Sequence, residues 1–192
     1  MTIFGHISVF ISIILGLAVV HLLSGLSLIL DTRKASKVYW VHLLWTFNML
    51  FAVVLVWISS FTLSPLEELS MIHFLNLLAY SIVTYLMSGL LFPVQGDEIV
   101  DFYEHFTANR KRFFSLGILF VLVDATDGML EHFEAGIALD IGQFGTLSVW
   151  FLLFILSIFK DNKFINGFVA IAYTIGLIGW LTSIIDTGIL VW

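Results

Sequence analysis

Six long apolar runs, broken only by short polar connections, are the feature that most restricts what this 192-residue chain can fold into. Crossing a hydrocarbon core of roughly 30 Å takes about 20 helical residues. The runs at 4–30, 38–61, 71–92, 113–130, 144–159 and 165–190 approach or exceed that length. None shows the alternation of polar and apolar residues expected of a membrane barrel strand. The sequence therefore predicts an all-α, polytopic membrane protein with six transmembrane helices, forming one domain over residues 1–192. Composition agrees, because a chain that is 60% hydrophobic and 11% charged, with a mean hydropathy of +1.05, lies outside the range of soluble domains. The first run has no basic segment before it and no small-residue cleavage site after it, so it is read as a retained span rather than a signal peptide.

All eight basic residues fall in alternate connections. Arg33, Lys34 and Lys37 lie between the first and second runs, Arg110, Lys111 and Arg112 between the third and fourth, and Lys160 and Lys163 between the fifth and sixth. The positive-inside rule places these connections in the cytoplasm and both the N-terminus and the C-terminus outside. A miscount of one span would scramble that pattern, so the charges also support the number six. Trp40, Trp57 and Trp192 fall near the expected interfaces as an aromatic belt. The third connection contains a segment, at about 96–109, in which Ile99, Phe102, Tyr103 and Phe106 recur at helical spacing against Asp97, Asp101, Glu104 and His105. This predicts a cytoplasmic amphipathic helix that rests on lipid headgroups or docks a soluble partner.

The segment ISIILGLAVVHLLSGLSLIL followed by YWVHLLW resembles the opening of small bacterial polytopic membrane proteins of uncharacterised function. The resemblance covers residues 1 to about 45, implies a bacterial cytoplasmic membrane and carries no activity with it.

Polar chemistry concentrates in LFVLVDATDGMLEHFE, residues 119–134. Asp124, Asp127, Glu131 and Glu134 share about a quarter of the helix circumference, with Asp124 near mid-span and the others climbing outward. A carboxylate at the centre of a membrane helix costs about 2.5–3.5 kcal/mol on insertion scales, and no lysine or arginine lies nearby. The acids must then be protonated or face a hydrated cavity, both typical of proton and cation pathways. A competing reading makes DATDG a turn, in which Asp124 and Asp127 cap an early helix end beside Gly128. The third run adds His73, Asn76, Tyr80, Thr84 and Ser88 on one face, either lining a path or hydrogen-bonding between helices. His21, set among apolar neighbours, is a candidate partner for Asp124 that hands protons inward towards His42 and Asp31.

Three functions stay open at this point. The first is an integral membrane protein conducting or transporting protons or small cations, by way of an acidic outer vestibule that leads to a midplane aspartate. The vestibule and path residues are Asp124, Asp127, Glu131, Glu134, His21, His73, Asn76, Tyr80 and Thr84. The second is a haem b electron-transfer subunit ligated by His21 with His42 and by His6 with His73. The third is a non-catalytic subunit or scaffold of a membrane complex. Ser12, Gly16, Gly176 and Gly179 suit close helix packing or a subunit interface, and a homo-oligomer is expected. No Walker loop, nucleophile elbow or His-Glu-x-x-His motif is present, so no enzyme is indicated. The lack of cysteine excludes disulfides, thiolate metal sites, iron–sulfur clusters and covalent haem, and a net charge of −6 argues against nucleic acid as a partner.

The topology is directly testable in this cysteine-free background. A tag at either terminus should be accessible from outside intact cells. A cysteine introduced at Ala35 or Asn162 should react with an impermeant maleimide only after permeabilisation.

Overall fold

The computed structural model describes residues 3–30, 37–60, 70–93, 101–136 and 138–186. They form six helices: α1 (Ile3–Leu30), α2 (Trp40–Ser59), α3 (Met71–Leu91), α4 (Phe102–Ala135), α5 (Ile141–Phe159) and α6 (Lys163–Asp186). All six are long and apolar enough to cross a membrane, as their sequence patterns predict. Large apolar side chains such as Leu17 and Val20 on α1 and Val149 and Leu152 on α5 face outward. Such surfaces suit contact with a lipid bilayer.

The main departure from the sequence reading is α4. Span four was expected to begin at Phe113, with a separate amphipathic helix before it, and its acidic segment could have ended it early. Instead, residues 102–135 form one unbroken helix of 34 residues, about 51 Å long at a rise of roughly 1.5 Å per residue. Residues 102–109 of the amphipathic segment are its first turns, whereas 96–100 lie outside the described residues. Asp101 caps the N-terminus, its carboxylate accepting from the amides of Tyr103 (2.9 Å) and Glu104 (3.3 Å). Although desolvation acts the other way, these two amides and the Lys37 ammonium together hold the Asp101 carboxyl below its usual range. The helix passes through DATDG without a break and stops at Gly136, whose φ of 67° supplies the left-handed ending that glycine adopts without strain. Asp124 and Asp127 are therefore helix-interior residues, not caps.

Packing follows an uneven ring. α3 lies against α1, α2 and α4; α4 also contacts α5; α6 rests on α5 and α2; and α2 returns to α1. Close approach is set at a few glycines. A Cβ on Gly25 would fall 2.2 Å from the Phe92 ring, and one on Gly176 would fall 2.4 Å from Trp150. Gly16 and Gly179, by contrast, have open space around them. Ser12 accepts a hydrogen bond from Trp57 Nε1 at 3.0 Å, tying α1 to α2.

One end of the bundle gathers Lys37, Arg110, Lys160 and Lys163 and is called the basic end below; the acidic end is opposite. At the basic end, the last carbonyls of α3, which have no partner within the helix, are met by three imidazoles. His105 Nε2 lies 3.3 Å from Leu90 O, His42 Nε2 2.7 Å from Leu91 O, and His21 Nε2 3.0 Å from Phe92 O. These histidines come from α4, α2 and α1, so the end of α3 is stitched to three neighbours. Arg110, 4% exposed, treats the end of α5 in the same way. Its guanidinium donates to the carbonyls of Ser157 and Lys160 and lies 3.6 Å from Asp161.

Because His42 is fully buried, His42→Ala should leave the Leu91 carbonyl unpaired and open a cavity, costing about 1–3 kcal/mol. Thermal unfolding in detergent should show a clear fall in Tm for His42→Ala and none for the exposed His6→Ala.

Candidate functional site

At the acidic end, the first turn of α3 meets the last turns of α4. Ser70 caps α3: its hydroxyl accepts from the His73 amide at 3.0 Å and donates to Glu134 Oε1 at 2.5 Å. The cap fixes where His73 stands. Its side chain is fully buried, with Nδ1 3.1 Å from Glu134 Oε2 and Nε2 3.4 Å from Asp127 Oδ1. The first is a hydrogen bond; the second is a somewhat longer ion-pair contact. Asp127 and Glu134 are seven residues apart on α4, so the helix brings both acids to the same side of α3. A single imidazole thus joins two carboxylates.

Deeper in, Asn76 donates to Asp127 Oδ1 at 3.0 Å and to Val123 O at 3.3 Å. Asp124 follows one helical turn beyond Asp127, next to the buried Tyr80 on α3 and within electrostatic reach of the buried Tyr173 on α6. The Tyr80 hydroxyl has no well-aligned partner among the described residues, and Asp124 is its polar neighbour. Tyr80 lies halfway along α3, so Asp124 stands near the middle of the bundle. Glu131, half-buried, is within electrostatic reach of Asp124. Asp127 and Glu134 keep 21% and 26% of their side chains exposed, which gives the cluster access to the surface at the acidic end.

The structure therefore brings together seven of the nine residues singled out for a path: Asp124, Asp127, Glu131, Glu134, His73, Asn76 and Tyr80. Thr84 is buried, but its hydroxyl bonds the carbonyl of Tyr80 in its own helix at 2.7 Å, and Ser88 likewise bonds Thr84 O at 2.9 Å. His21 does not meet Asp124; it lies at the end of α3, on the Phe92 carbonyl. Asp31 lies outside the described residues. The proposed haem ligands are similarly committed. Nε2 of His21 and of His42 each face a backbone carbonyl and His73 is held between two acids, so axial ligation through those atoms would break these contacts. Among the described residues, no group of three or more His, Asp or Glu side chains has the geometry of a metal site.

Three contributors escaped the sequence reading. Ser70 and Tyr173 belong to the site, although Ser70 three residues before His73 is a readable cap signal. Gln143 of α5 packs its carboxamide against α4 where Gly128 lacks a side chain, 3.1 Å from the position a Cβ would take. The chain matches no family model, no curated protein and no solved structure.

Replacing Asp127 with Leu should remove partners from both Asn76 and His73, and hydrogen bonds to charged groups contribute about 1.5–3 kcal/mol each. Glu134→Gln keeps an acceptor for Ser70 and His73 and should cost much less. Unfolding midpoints of the two variants in the same detergent check the order.

Proposed function

We propose that this chain is an integral membrane protein that moves protons along the Glu134–His73–Asp127–Asp124 line. The basic end lies in the cytoplasm, both termini lie outside, and the acidic end opens outward, as the distribution of lysine and arginine indicates. The observation that carries this reading is the buried imidazole of His73 between two carboxylates. A neutral imidazole donates from one nitrogen and an imidazolium from both, so each change in its protonation makes or breaks a contact with one acid.

A transfer step balances. Glu134 in its protonated form gives a proton to Nδ1 while Nε2–H passes to the Asp127 carboxylate. The ring is left neutral in the opposite tautomer, and rotation of the ring resets it. Asp124, one turn deeper, takes the proton to mid-bundle, with the Tyr80 phenol as its polar neighbour.

Protons fit this arrangement better than metal cations. A cation binding between Asp127 and Glu134 would have to displace the imidazole, whereas a proton uses it. Below Asp124 the rings of Trp45, Phe154 and Tyr173 pack on one another, so the line of polar groups reaches halfway and suits gated or coupled transfer rather than an open pore. The setting is the bacterial cytoplasmic membrane, and the outward apolar faces of α1 and α5 leave room for a homo-oligomer.

Asp124→Asn keeps the shape of the side chain and removes its titrating proton. In liposomes under an imposed pH gradient, the variant should fold with an unchanged Tm and lose proton flux by at least tenfold. Equal flux from variant and wild type, or no flux from either, would refute the proposal.

A further inference from the structure

Unpartnered polar groups gather at a second place, the basic end between α4, α5 and α6. Ser157 and Asn166 are 0% and 1% exposed, and neither the Ser157 hydroxyl nor either polar atom of the Asn166 carboxamide has a hydrogen-bond partner among the described residues. The hairpin between α5 and α6 turns at 160–162, so Ser157 three residues before it and Asn166 four residues after it both lie within about one helical turn of it at the basic end. The Thr107 hydroxyl, also buried and unpartnered, is one turn from Arg110, whose guanidinium bonds the Ser157 carbonyl. The Tyr39 hydroxyl joins the set, its ring packed on Tyr103 (5.2 Å) and Phe106 (6.0 Å).

Each buried polar group left unpaired costs about 1–3 kcal/mol, so a concentration of them in one corner points to a partner from outside the chain. Arg110, the buried charge in this corner, already has an acidic neighbour in Asp161 at 3.6 Å. What remains are three hydroxyls and a carboxamide, groups that both donate and accept. That chemistry matches water rather than an ion of one sign.

We propose that this corner is a hydrated pocket forming the second half of the proton route, entered from the basic end. It builds on the preceding proposal, supplying the half that the Glu134–Asp124 line does not reach. Asn166 and Tyr173 are seven residues apart on one face of α6, so the pocket and the Asp124 site lie about 10 Å apart along that helix. One aromatic layer separates them. Trp45 stands 5.1 Å from Tyr173, and Phe154 stands 5.9 Å from Tyr173 and one turn from Ser157. Tyr173 has its ring in the stack and is within electrostatic reach of Asp124. Phe154 fits there because Gly117 has no side chain; a Cβ would lie 2.9 Å from its ring.

The chain has no cysteine, so single cysteines report hydration directly. Ser157→Cys and Thr107→Cys are near-isosteric, and Val169→Cys, at a fully buried apolar position on α6, is the control. Membrane vesicles exposing the basic end are treated with 2-aminoethyl methanethiosulfonate, and modification is followed by intact-protein mass. The pocket predicts that Cys replacements at 157 and 107 react at least tenfold faster than the one at 169. Equal rates at all three positions would overturn it. Modification requires no transport: fast reaction in a protein without flux would retain the pocket and remove the relay, whereas flux with unreactive cysteines would do the reverse.

Discussion

Four carboxylates along an apolar helix, with no lysine or arginine on their side of the chain, set the problem that the rest of this structure answers. An unpaired carboxylate in a dry interior is among the costliest groups a protein can bury. Here the compensating groups come from α3: the His73 imidazole, the Asn76 carboxamide, the Ser70 hydroxyl and the Tyr80 phenol. The pairing of α3 with α4 is thus fixed by polar chemistry at one end as well as by apolar packing along their length. A histidine in this role differs from a lysine or arginine, because it can exchange its charge near neutral pH. A lysine would stay charged at neutral pH, whereas the ordinary titration range of an imidazole spans it.

At the basic end, three histidines and an arginine are committed to backbone carbonyls. Helix C-termini leave carbonyls without partners, and inside an apolar bundle those must be satisfied by side chains. His21, His42 and His105 are used on α3 and Arg110 is used on α5. The two ends therefore divide the polar work: bases hold backbone carbonyls at one, and the His73 imidazole holds carboxylates at the other. Lys37 and Lys163 hold the entry of α4 from outside, the first by pairing with Asp101 at 3.6 Å and the second by lying over the Tyr103 ring at 4.1 Å.

Much of this was legible in the sequence, and the reasons it was incomplete are physical. Apolar length and the placement of lysine and arginine specify six helices, because both respond to a bilayer rather than to tertiary detail. The faces of α3 and α4 were readable from spacing alone, since residues three, four and seven apart on a helix share a side. The partner of a face is a different matter. His21 and His73 look alike as histidines in apolar runs, but whether each meets an acid or a carbonyl depends on the stagger of neighbouring helices. Spacing does not encode that stagger. The turn reading of DATDG failed for a related reason: local preference favoured a break at Gly128, and packing against α3 and Gln143 of α5 carried the helix through. Arg110 announced itself as a topology signal while its second use, capping α5, required the fold.

The central claim is that His73 passes protons between Glu134 and Asp127 rather than merely joining two helices. The most direct measurement compares proton uptake by liposomes containing wild type and His73→Gln, with the acidic end facing the medium that carries the proton excess. Glutamine keeps a donor and an acceptor at this position but does not titrate between pH 5 and 8. The account predicts a folded, thermally stable variant whose proton flux falls at least tenfold. A stable variant with wild-type flux would contradict it and leave His73 a structural tie.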